Sequence, residues 1–208
     1  MRTFCLVIAV LMTGAAGHFA FPQEANTRRI DFKNFSIPWD DETATSPPDS
    51  ESPWHWLKRI PEPRISLVNG LHHFYKPSQS QFERDHAPLL RMVSVTYGDL
   101  DASGAGQTAV HFNYTEGGTA NWDYLYVYKV DSSHAELMAI LKGGSRAYGG
   151  LNRIAIQNGL LVLDFADPDR RVGDCCSEGY IRVRYRWRDG KFVEEGPREH
   201  GDVDLRNR

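Results

Sequence analysis

An all-β fold is what this sequence predicts: an antiparallel meander forming a sandwich or a barrel-like sheet, with at most one or two short helices. Three observations carry that prediction. Three two-residue turn signals, Asn69-Gly70, Asn158-Gly159 and Asp189-Gly190, each sit between apolar runs, which marks hairpins. The runs are rich in β-branched and aromatic residues and closely spaced. Residues 180–188 alternate strictly, with Ile181, Val183, Tyr185 and Trp187 on one face and four arginines on the other.

In chain order, Met1, Arg2 and Thr3 give a positive start. An unbroken apolar run over 4–12 follows, and then small residues from Thr13 to Gly17. That order is expected of an export signal over residues 1–20, with cleavage after Gly17 or Ala20, leaving a secreted or periplasmic chain. The run is too short to span a bilayer, which takes roughly 20 residues, so no transmembrane anchor is expected in the mature chain. Residues 21–63 read as an N-terminal strand near 29–37 followed by an acidic linker rich in Pro and Ser. Trp54 and Trp56 are expected to anchor that linker to a β domain spanning 64–196. Within this domain, 80–90 suits a short helix, and 91–97, 108–114 and 123–130 suit strands; 136–141 suits a strand or short helix. Residues 197–208 form a charged tail expected to fray.

Hydrophobic residues make up 41% of the chain and charged residues 25%, with a formal net charge of -3, so no global field draws it to nucleic acid. Removal of the signal takes Cys5 with it and leaves Cys175 beside Cys176, which cannot staple distant segments. In an oxidising compartment the two can close a strained vicinal disulfide; free thiols or bridges to another chain are the alternatives.

The loop at 98–107 offers oxygens at alternate positions: Asp99, Asp101, Ser103, the Ala105 carbonyl and Gln107. Such spacing suits Ca²⁺. Only two of these are carboxylates, however, and Val110 stands where a twelfth-position glutamate belongs. The alternative is a turn held by Asx hydrogen bonds and glycines. "DLDASGAGQTAV" resembles the strand-loop-strand unit of FG-GAP repeats, present here once. The stretch 65–196, with "HAPLLRMVSVTYGDLD", "GGTANWDYLYVYK", "GGSRAYGGL" and "GDCCSEGYIRVRYRWRDGKFVEEG", is similar to a group of exported bacterial proteins without an assigned activity. The resemblance therefore implies a setting but no reaction.

Arg182, Arg184, Arg186 and Arg188 form a row about 7 Å apart, which repels itself unless it is solvated, countered or used. Asp164, Asp167 or Glu194 are the expected counter-charges; the functional alternative is an anion site, for an anionic glycan or envelope component. Residues 121–129 carry Trp122, Tyr124, Tyr126 and Tyr128 on one face and Leu125 and Val127 on the other, which places that strand centrally. Gly117-Gly118, Gly143-Gly144 and Gly149-Gly150 read as turns. His55, His72, His73, His86, His111 and His134 are scattered, and no motif names a catalytic residue. The reading is a non-catalytic binding or structural module with no required cofactor. Alternatives are a hydrolase of envelope or extracellular polymers, using a carboxylate pair, and a Ca²⁺-stabilised structural domain.

Overall fold

The computed structural model describes residues 30–39, 52–101, 106–117, 121–131, 133–146, 148–173 and 176–203. The expected export signal and most of the acidic linker lie outside them. The strands are β1 (Ser36–Pro38), β2 (His55–Trp56), β3 (Arg64–Ser66), β4 (Leu71–His73), β5 (Leu89–Gly98), β6 (Gln107–Thr115), β7 (Asn121–Asp131) and β8 (His134–Ser145). After them come β9 (Leu151–Gln157), β10 (Leu160–Ala166), β11 (Arg171–Val172), β12 (Cys176–Ser177), β13 (Gly179–Arg188), β14 (Lys191–Glu194) and β15 (Glu199–Asp202). One short helix, α1 (Gln81–Asp85), begins at a capping box between Ser80 and Glu83. Among the described residues no helix is long and apolar enough to cross a membrane.

The predicted all-β fold is present, as a sandwich of open sheets. A six-stranded antiparallel sheet runs β2-β8-β7-β6-β5-β4, and a second sheet runs β14-β13-β10-β9, with β15 also on β13. As expected, β7 is central, and both its faces are buried because each meets its own core. One face of the sheet sends Phe112 of β6 and Tyr124, Tyr126 and Tyr128 of β7 into a layer closed by Phe32, Ile37 and Trp39 of the N-terminal segment and by Leu67 after β3. The Tyr126 hydroxyl donates to the Pro38 carbonyl at 2.8 Å, pinning that segment across the sheet. The other face packs Ala109, Leu125, Val127 and Leu141 against Leu161, Leu163, Phe165 and Val183 of the second sheet. Trp54 stacks on Phe165 at 4.1 Å in this layer, so the tryptophan anchor is in place.

Two hairpins form where the turn signals put them: Gln157 faces Leu160, and Arg188 faces Lys191. Asn158 and Asp189 take φ of 53° and 50°, the left-handed region such turns need. The Asn69-Gly70 turn also forms, with a bridge from Val68 to Leu71, but its arms part. β3 pairs with β1, and β4 with β5, because each finds a longer-range partner that extends a sheet.

Three further expectations are corrected. Residues 32–34 form a 3-10 turn ahead of β1, where Asp31 accepts from the Lys33 backbone N–H and Asn34 Nδ2, so one continuous strand over 29–37 is not formed. Gly143 and Gly144 lie inside β8, not in a turn. The tail does not fray over Glu199–Asp202: it is β15, antiparallel to β13, with Glu199 opposite Arg182. Its charges dock it onto a strand rich in arginine, which composition alone did not reveal.

Candidate functional site

The arginine row lies on the outer face of the second sheet, since Ile181, Val183 and Tyr185 point into the core. Each guanidinium is countered. Arg182 grips Asp164, its cross-strand neighbour, through Nε at 2.7 Å and Nη2 at 2.9 Å. Arg184 reaches Glu199 at 2.8 Å, and Arg188 reaches Glu195 at 3.0 Å. Arg186 makes a fork onto Glu195, with Nη2 at 2.6 Å from Oε1 and Nε on Oε2. Of the expected counter-charges only Asp164 is used by the row; Asp167 pairs with His200, and Glu194 with Arg198. The partners reading missed are Glu195 and Glu199. The Arg186 and Arg184 guanidinium groups, chiefly through their hydrogen bonds, hold these two carboxyls below the ordinary glutamate value. An incoming anion has to displace a carboxylate at every rung.

In the 98–107 loop, Ser103 and Ala105 lie outside the described residues. Gln107 is fully buried and braces the loop: its Oε1 accepts from the Leu100 backbone N–H at 2.6 Å, and its Nε2 donates to Asp101 Oδ1 at 3.0 Å. Asp99 Oδ1 is buried and has no hydrogen-bond partner among the described residues. Cys176 stands half-buried in β12, and Cys175 lies outside the described residues.

The most developed polar site is elsewhere. Along β6 and β7, alternation puts His111, Asn113, Asn121 and Asp123 on the face that carries Ala109, Leu125 and Val127. Their end of the sheet opens into a cavity of about 400 Å³, which these four residues line together with Arg91, Val93 and Arg146. Asp123 is its floor. Its Oδ1 lies 2.8 Å from His111 Nε2 and 3.4 Å from Asn113 Nδ2, and its Oδ2 accepts from the Leu151 backbone N–H at 2.8 Å. Both His111 and Asp123 are buried, at 7% exposure each. A buried carboxylate needs such partners, because desolvating an uncompensated charge costs several kcal/mol.

Glycines make the floor possible. A Cβ on Gly143 would stand 3.2 Å from Asp123 Cβ, and one on Gly150 would stand 2.9 Å from Asp123 Oδ2. A Cβ on Gly144 would fall 1.7 Å from the Tyr148 carbonyl. These residues let the β8 hairpin fold tightly over Asp123. The hairpin bridges Ser145 to Tyr148 and places Arg146 in the left-handed region, at φ 36°, beside the cavity. Across the opening, the β5 ladder shifts register between Met92 and Ser94, and such a bulge re-aims side chains at Val93. Arg91, opposite Asn113, completes the rim. Neither Arg91 nor Arg146 has a carboxylate partner among the described residues.

The arrangement presents two guanidinium groups without a carboxylate partner among the described residues, and two carboxamides, beside a fixed His-Asp pair. Guanidinium forks match carboxylate, phosphate and sulfate oxygens, and carboxamides suit hydroxyls. Among the described residues no group of three or more His, Cys, Asp or Glu side chains is placed to hold a metal ion. Comparison with family models, with curated proteins and with solved structures finds no match to this chain.

Proposed function

We propose that this protein is an exported, non-catalytic binding module, and that the cavity over Asp123 takes the acidic group of an anionic glycan. The observation that carries the reading is the pair Arg91 and Arg146, which have no carboxylate partner among the described residues while every arginine of the β13 row has one. The depression is shallow and open, with about 400 Å³ above its floor, so it meets the acidic group of one sugar unit at the surface and does not enclose it. The test is calorimetric titration with digalacturonate. The intact chain binds saturably, and Arg91→Ser and Arg146→Ser each weaken binding at least tenfold without changing the melting temperature, since both side chains are exposed. Export is tested by expressing the full sequence: a mature chain beginning at His18 or Phe21 supports it, and an unprocessed N-terminus speaks against it.

A second reading rests on Asp99 Oδ1, a buried carboxylate oxygen with no hydrogen-bond partner among the described residues. A Ca²⁺ ion in that loop satisfies it. Millimolar Ca²⁺ then raises the melting temperature and chelation lowers it; unchanged melting in both leaves the loop as a turn.

A further inference from the structure

A second cavity, of about 280 Å³, opens between the β2–β8 edge and the β13–β14 turn. We propose that it binds a small amphipathic carboxylate, with the apolar body inside and the acid at the rim. Its lining is mixed: the partly exposed Trp56, Ile60 and Met138 give the apolar part, and Lys58, Arg59 and Lys191 give the polar part. The apolar part is preformed. Trp56 and Phe192 stack at 4.4 Å and 19°, and Tyr185 and Trp187 meet these rings edge-on. A rigid aromatic wall binds an apolar body without the entropic cost of ordering it first.

The rim has the opposite character. Lys58, Arg59 and Lys191 line the cavity, and none of the three has a carboxylate partner among the described residues. On the same strand as this turn, β13, every arginine has found one. Asp189, in the turn itself, does not line the cavity. Three cations stand beside partly apolar surface with no carboxylate partner among the described residues, so the complementary occupant carries both an apolar surface and a negative charge. The size decides the class. At about 280 Å³ the space falls just under the range of roughly 300–1,000 Å³ for drug-sized ligands, which admits an arylalkanoate and not a polymer chain.

The site shares no residue with the Asp123 cavity, so the two are separable. The experiment titrates the full chain with 3-phenylpropanoate, its neutral amide, and acetate. The expected result is saturable one-site binding of the carboxylate, with the amide and acetate each at least tenfold weaker. A Lys58→Ser/Lys191→Ser double variant, altered only at exposed positions, binds 3-phenylpropanoate about tenfold more weakly and melts as the parent does. Arg91→Ser leaves it unchanged. Equal affinity for acid and amide, absence of saturable binding, or loss of binding in Arg91→Ser overturns the proposal. Concentration-dependent dimerisation that blocks the probe does so as well, because the cavity is then an interface between copies.

Discussion

At the scale of single residues, Asp123 is the position on which most of the candidate site depends. It accepts from a backbone N–H and meets a histidine and an asparagine, and it does so in space left by two glycines. Replacing it with Ala leaves the Leu151 N–H without its acceptor and His111 without its partner, and is expected to cost about 3 kcal/mol, as breaking a buried pair does. Urea unfolding measures this. Gly150→Ala acts differently. Its Cβ would sit 2.7 Å from the Arg146 carbonyl, so the hairpin must shift and carry Arg146 with it. Ligand affinity is expected to fall tenfold or more, and titration of the folded variant checks this. None of this was legible in the sequence. His111 and Asp123 lie twelve positions apart on neighbouring strands, and only the register His111–Leu125, Asn113–Asp123 brings them together. The arginine row, by contrast, was plain, because its period of two lies within one strand. Its neutralisation was not, because two of its three carboxylates arrive after the β14 strand.

At the scale of elements, β15 shows how charge substitutes for apolar burial. Glu199 faces solvent, yet its strand is held on β13 by backbone pairing and by Arg184. The Arg184 guanidinium lowers the Glu199 carboxyl below 4.5, and Arg186 does the same to Glu195. A group lowered on folding stabilises the fold above its unfolded value. That contribution is lost as pH falls through about 4.5 and on through the lowered folded value. Hydrogen-exchange protection over 199–202 is therefore expected to fall as the pH drops below about 4.5, before that of β10 does. Equal loss in both strands contradicts this. The same scale explains which turns were readable. Asn158-Gly159 and Asp189-Gly190 join strands that pair with each other, so local chemistry settles them. Asn69-Gly70 turns as its residues dictate, but its arms answer to β1 and β5, partners that no local pattern names.

At the scale of the whole molecule, the six-stranded sheet is covered on both faces, by the second sheet and by the N-terminal segment. A break between the linker and a domain beginning at 64 does not match the packing. Phe32, Ile37 and Trp39 close one core, and Trp54 enters the other. A fragment limited to 64–196 exposes Tyr124, Tyr126 and Tyr128, and is expected to bind a hydrophobic dye and to melt without cooperativity. The sandwich class was legible because strand chemistry and turn chemistry agreed over the chain. The place of the Asp123 site was not, since it depends on the register of β5, β6 and β7 and on the turn that brings Arg146 beside them. The central claim is that an acidic ligand binds at that site through Arg91 and Arg146. Digalacturonate titrated into the parent chain, an Arg91→Ser/Arg146→Ser variant and an Arg184→Ser variant tests it most directly. Binding by the parent and by Arg184→Ser, with at least a hundredfold loss in the double variant, is the predicted result. Equal binding by all three, or loss confined to Arg184→Ser, contradicts it.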